Sequence, residues 1–221
     1  MIKKHFSFEE TLRFGWAKTY QHAWFLVLTF IIAEIILSAV KFTPFLNLVV
    51  ALFVGLSLAS ISLVISRDQH FTFTDLYSPL LSPTRVIKFF ALTVIYSIPG
   101  FLLLMSYVLR VFGSTYNINS VFVLGTILCF VFAVPVIYFS VRLKFFPYVL
   151  LDNEHASLKE IITKTYRLTT NHFWPILAFL LALGAINILG FFFFIIGLIV
   201  TVPVSLFATA HVYNKLKEHS F

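Results

Sequence analysis

Charge is what this chain has least of. Only 11% of its 221 residues are Asp, Glu, Lys or Arg, against about 25% in soluble domains. No polar segment is long enough to bury a core of its own. Cysteine is nearly absent: Cys129 is the single one, so no disulfide can close within the chain. HExxH, CxxC and clustered carboxylates are missing, which removes the usual metal patterns, and no cofactor is expected. No phosphate loop, dinucleotide fingerprint or GxSxG context occurs. The start, MIKKHFSFEE, lacks the early apolar core and small-residue cleavage site of a signal peptide. The first span is therefore expected to stay in the mature protein.

What is present is apolar bulk. Hydrophobic residues make up 60% of the chain and mean hydropathy is +0.96. Six apolar runs can be read, at about 23–40, 44–66, 86–109, 121–141, 173–189 and 191–213. Each is near the roughly 20 residues that cross a bilayer as a helix. The fourth can continue past Pro147. The last two form one uncharged stretch, and Asn187 and Gly190 offer the turn between them. The expected class is all-α: a single polytopic membrane domain over 1–221.

The net charge of +7 is distributed as in a membrane protein. With both termini inside, the inner segments hold Lys3, Lys4, Arg13, Lys18, Arg67, Arg85, Lys88, Arg142, Lys144, Lys159, Lys164, Arg167, Lys215 and Lys217, fourteen in all. The outer segments hold Lys41 and Arg110. That bias is a positive-inside signal for six spans with cytoplasmic termini. Cations beside apolar runs meet anionic headgroups, so membrane lipids are the expected partners and nucleic acid is not. The outer loops are short; GSTYNINS at 113–120 is the longest.

One passage occurs twice. SFEETLRFGWAKTYQHAW at 7–24 matches SLKEIITKTYRLTTNHFW at 157–174 at a constant offset of 150. Ser7 with Glu10, and Ser157 with Glu160, have capping-box spacing. Phe8, Leu12, Trp16 and Tyr20 form an apolar stripe at i, i+4, i+8, i+12, and Leu158, Ile162, Tyr166 and Thr170 repeat it. Each passage reads as an amphipathic helix in the membrane plane. Trp16, Trp24, Tyr166 and Trp174 are its interfacial anchors. A weaker third copy begins at Asp75, with Leu76, Leu80 and Leu81, and is shortened by Pro79 and Pro83. The expected architecture is three parallel repeats of interfacial helix plus transmembrane hairpin, at about 5–66, 71–142 and 152–217.

The segment from Phe146-Pro147-Tyr148 through Asp152, Ala156 and Asn171-His172-Phe173-Trp174 resembles a broad group of bacterial multi-pass proteins. That group includes uncharacterised six-span integral membrane proteins and the membrane domain attached to some glycerophosphodiester phosphodiesterases. The resemblance implies a bacterial or archaeal plasma (inner) membrane protein. No active site comes with it, and the hydrolytic barrel of those phosphodiesterases has no counterpart in this sequence.

Candidate sites are few. Glu34 lies eleven residues into the first span, where a carboxylate is expensive and often functional; it reads as a coupling carboxylate or as half of an ion pair with Lys41 or Arg110. Ala51, Gly55 and Ala59 have small-xxx-small spacing and read as a helix-packing seam, with a polar pore lining as the alternative. Pro99, Pro135, Pro175 and Pro203 read as kinks, or at Pro135 and Pro203 as broken helices of a transport site. His22 and His172 occupy matched interface positions. Asp152 and Glu154 read as loop salt bridges beside Arg142 and Lys144. The functional expectation is a non-enzymatic protein of transport or membrane and lipid homeostasis. A structural subunit of a larger complex, or a homo-oligomer, is the alternative. An intramembrane enzyme comes third, with no nucleophile–base pair to support it.

Overall fold

The computed structural model describes residues 7–72 and 74–218, excluding the side chains of Phe30, Glu34, Pro44, Phe45, Phe194, Ile195 and Ile196. Every described element is helical. In chain order they are α1 (Phe8–Gln21), α2 (Ala23–Val40), α3 (Pro44–Ser66), α4 (Thr74–Tyr77) with a 3-10 turn (Ser78–Leu80), α5 (Pro83–Thr115), α6 (Asn119–Arg142), α7 (Phe146–Asp152), α8 (Leu158–Thr170), α9 (Phe173–Phe192) and α10 (Phe194–Glu218). Six of them are long and apolar enough to cross a membrane: α2, α3, α5, α6, α9 and α10. This is a helical, multi-pass membrane architecture.

Many of the hydroxyls inside these helices are satisfied locally, though Thr201 Oγ1 of α10 has no partner among the described residues. Thr29 donates to the Phe25 carbonyl at 2.9 Å, Ser106 to Leu102 at 2.8 Å and Thr126 to Phe122 at 2.8 Å. Such back-bonding leaves no dangling donor where lipid offers no acceptor.

Two turns differ from expectation. The third span is longer than 86–109: α5 runs 33 residues, about 50 Å at 1.5 Å per residue. Most of GSTYNINS is therefore helix, and only 116–118 turn, with Asn117 at φ 56°. Glycine allows so tight a hairpin. A Cβ on Gly113 would meet the Phe122 amide nitrogen at 2.3 Å, and one on Gly125 the Arg110 amide nitrogen at 2.4 Å. The second difference is between the last spans. The turn falls at Phe193, not at Asn187 or Gly190. Asn187 lies inside α9 and donates to Ser205 Oγ of α10 at 2.9 Å. Gly190 is a crossing point, where a Cβ would meet the Thr201 side chain at 2.4 Å.

α1 packs on α10, crossing it at Gly15, whose Cβ would lie 2.6 Å from the Val204 carbonyl. Its buried residues are Thr11, Gly15 and Thr19; those of α8 include Ile161, Thr165 and Thr169. These positions are 150 apart. The expected stripe of α1 divides: Leu12 packs against the core and Phe8 meets Phe179, while Trp16 and Tyr20 face outward at 59% and 82% exposure. The main core gathers Leu56, Leu92, Phe145, Leu150, Ile161, Ile176, Phe179 and Tyr213 from α3, α5, the α6–α7 link, α7, α8, α9 and α10. It lies toward the end of the bundle where α7 and α8 cover the helices. The ion pairs of that end hold the links together.

Candidate functional site

The densest polar cluster is built around Asp152, the last residue of α7. Its side chain is only 9% exposed. Arg67, just past α3, donates to both carboxylate oxygens at 2.9 and 2.7 Å, a bidentate pair. From α10, Tyr213 Oη donates at 2.8 Å and Lys217 Nζ at 2.6 Å. Asn214 Oδ1 accepts from Arg67 Nε at 3.2 Å, and its amide donates to Ser66 Oγ at 2.9 Å. One carboxylate thus ties together three separate stretches of chain. The Asp152 hydrogen bond holds the Arg67 guanidinium even more firmly protonated than usual.

The cluster carries surplus positive charge. Arg67 and Lys217 oppose the single carboxylate of Asp152, which leaves a net +1. Lys164 of α8 adds another; its partner at 2.6 Å is the neutral amide oxygen of Asn153. Lys215 faces Glu10 of α1 at a loose 3.7 Å. Arg67, Lys164, Lys215 and Lys217 line one open cavity of about 900 Å³, with Tyr213 and Asn214 in its wall. Asp68 and Glu218 also line it, and Asp68 is paired with Lys18. Cations held close in a partly desolvated pocket favour an anion with several acceptor oxygens.

Nearby pairs extend this polar end. Arg85 meets Glu154 at 2.5 Å, and Lys88 donates to the Glu154 carbonyl at 2.9 Å. The Ser82 hydroxyl and Arg85 hold the Glu154 carboxyl below its ordinary range. Asp152 and Glu154 thus form salt bridges, as expected, but with Arg67, Lys217 and Arg85 and not with the nearby Arg142 and Lys144. Arg142 lies against three rings instead, its guanidinium carbon 4.5 Å from the Tyr166 centroid, 5.3 Å from Tyr138 and 5.4 Å from Phe173. Cation–π attraction suits a guanidinium beside the apolar boundary. Tyr166 also shares a hydrogen bond with Tyr138 at 3.1 Å, so it is a packed anchor. Trp24 and Trp174 are 81% and 75% exposed where α2 and α9 begin.

The two capping motifs are not equivalent. Ser157 and Glu160 form the full box, with Ser157 N–H donating to Glu160 at 2.7 Å and Glu160 N–H to Ser157 Oγ at 3.3 Å. That bond from the Ser157 amide holds the Glu160 carboxyl below its ordinary value. Ser7 occupies the N-cap position but its side chain caps nothing, and Glu10 turns toward Lys215 and His211. The sequence match holds while the local chemistry differs, because α1 packs on α10 and offers Glu10 a cation.

The Glu34 side chain lies outside the described residues. Lys41 is exposed over the Phe42 ring at 5.1 Å, and Arg110 over Phe122 at 5.7 Å. Neither forms an ion pair among the described residues. The small-residue spacing of α3 does not make a tight seam at Gly55. Ala51 is exposed and Ala59 is buried, but a Cβ on Gly55 would have nothing within 4 Å. Gly55 and Ala59 border a cavity of about 340 Å³. Pro99, Pro135 and Pro203 lie inside continuous helices. His22 and His172 directly precede α2 and α9, and burial and Lys18 lower the His22 pKa.

Sequence reasoning weighed Asp152 but missed Arg67, Tyr213, Asn214 and Lys217 as its partners. Arg67 and Lys217 look like ordinary cations after a span, and nothing local reveals a shared carboxylate. No protein-family model matches the chain, and no curated protein or solved structure was found to be similar to it.

Proposed function

We propose that this is a non-enzymatic plasma-membrane protein of the lipid-homeostasis or transport type, which holds the phosphate of an anionic lipid headgroup at its basic end. One observation carries the reading: Arg67, Lys164, Lys215 and Lys217 converge on one cavity of about 900 Å³. The surplus charge around Asp152 supports it, since a headgroup phosphate would neutralise what the protein leaves open. The fourteen-to-two cation bias supports a cytoplasmic placement of that end. The matched buried positions of α1 and α8 support a repeat.

The test uses the full chain in nanodiscs made of phosphatidylcholine with a minor fraction of phosphatidylglycerol. Retention of phosphatidylglycerol is read by native mass spectrometry. Each interfacial cation contributes about 1 kcal/mol, roughly fivefold in affinity. Replacing Lys164 and Lys215 with Gln should therefore cut retention about 25-fold on the same basis. Competition by inorganic phosphate would identify a free-anion site instead. Unchanged retention in the double variant would refute the reading.

The scaffold reading has one feature in its favour. Beyond Pro99, the buried residues of α5 are Ser106 and Gly113, and Gly113 is in close contact with α6. The outer part of the hairpin presents Phe101, Leu104, Tyr107 and Phe112 as an open apolar face. A second copy or a partner span could cover it, and cross-linking from Cys placed at Leu104 in native membranes tests this.

A further inference from the structure

The cavity beside Gly55 is a second site, built differently from the basic end. It lies between α3, α7, α9 and α10. Gly184 and Asn187, which line it, are 11 and 14 residues into α9, about 17 and 21 Å along its axis. That depth is well inside a hydrocarbon core of about 30 Å. Its volume of about 340 Å³ is at the small end of ligand pockets, roughly 300–1,000 Å³.

Two unmet polar groups line it. Lys144, in the link between α6 and α7, is half-buried at the cavity and makes no hydrogen bond or ion pair among the described residues. Its flanking residues Leu143 and Phe145 are 5% and 0% exposed, which pins the link. An ammonium that faces a largely apolar cavity without a counter-charge is a binding-site candidate for an anion. The second is Asn187 Oδ1, which is buried and has no donor. The orientation of this amide is fixed by its neighbour. Ser205 Oγ spends its proton on the Thr201 carbonyl at 2.8 Å, so it can only accept from Asn187 Nδ2. The Asn187 oxygen therefore points away from Ser205 and meets no donor among the described residues. Leu180, Leu183, Val202 and Leu206 complete an apolar wall.

We propose that this cavity binds a small carboxylate that also carries a hydrogen-bond donor, as in a 2-hydroxy acid or an amino acid. Lys144 supplies the counter-charge to the carboxylate, and Asn187 Oδ1 accepts from the hydroxyl or ammonium. The apolar wall takes a short aliphatic body. The proposal does not rest on the headgroup site: these ligands have no phosphate, and the two cavities share none of their lining residues.

The experiment titrates L-lactate and L-leucine into the full chain in phosphatidylcholine nanodiscs by calorimetry, with lactamide and leucinamide as uncharged-carboxyl controls. Saturable binding of one or both acids, and not of the amides, is expected; which acid binds separates the two sources. Lys144→Met should weaken it roughly thirtyfold or more, the usual loss for one partner of a buried charge pair. Gly184→Leu gives a second variant. A Cβ there has nothing within 4 Å, so the added side chain fills open space at the cavity without forcing the helix. It should abolish binding while thermal unfolding stays unchanged. The proposal is overturned if neither acid binds saturably, if the amides bind as well, or if binding survives both variants.

Discussion

Asp152→Asn is the most informative single change. It keeps the side-chain shape but removes the charge that Arg67, Lys217 and the Tyr213 hydroxyl all address. Three stretches of chain then share a site with two cations and no anion. Breaking a buried pair from one side costs roughly 3–5 kcal/mol. That figure must be discounted, because Arg67 and Lys217 side chains are 30% and 41% exposed and water will screen part of the loss. About 2 kcal/mol is a reasonable expectation on those grounds. For a chain of this size that corresponds to a fall in Tm of about 4–8 °C. The assay is thermal unfolding of detergent-solubilised protein followed by intrinsic fluorescence. A double-mutant cycle with Arg67→Gln completes it, since the two losses should be clearly less than additive. A Tm within about 1 °C of wild type, less than half a kcal/mol, would refute the claim that this carboxylate holds the bundle end together.

The remaining predictions probe local features. Ser157→Ala should destabilise α8 by about 1 kcal/mol, whereas Ser7→Ala should be nearly neutral because no side-chain cap exists there; hydrogen exchange of the two helices reads the difference. Gly125→Ala should cost roughly 1–3 kcal/mol of overpacking, while Gly55→Ala should be neutral or slightly stabilising, both by thermal unfolding. The Glu160 carboxyl is held below its ordinary value of 4.5, so the cap's contribution is present above that pH and is lost as pH falls through the folded-state value. Exchange protection of α8 should therefore drop on acidification, and Glu160→Gln, which can still cap, should lose that pH dependence.

The apolar runs were legible because a bilayer demands length and hydropathy from each span separately. The misplaced turn between the last two spans shows the limit of that reading. Asn187 and Gly190 carry turn signals, yet Asn187 finds its acceptor on α10 and Gly190 gives α9 and α10 room to cross. A polar residue and a glycine do the same job in the sequence of a turn and at a helix crossing. The small-residue spacing of α3 meets the same limit. It marks where helices can approach, but at Gly55 the neighbouring helices leave a space.

The sequence by itself determined that this is a helical, multi-pass membrane protein, because hydropathy, segment length and cation placement are local properties. It also determined one working cap, at Ser157 and Glu160, since both partners lie within one turn. Only the tertiary structure decided which cations share Asp152, that Lys144 has no partner among the described residues, and that the matched cap at Ser7 is unused. Those outcomes depend on residues brought together from 61 positions of chain apart, as Asp152 and Tyr213 are, to more than 148, as Glu10 and Lys215 are. Pairing at that range is set by how the helices pack, and no local pattern encodes it.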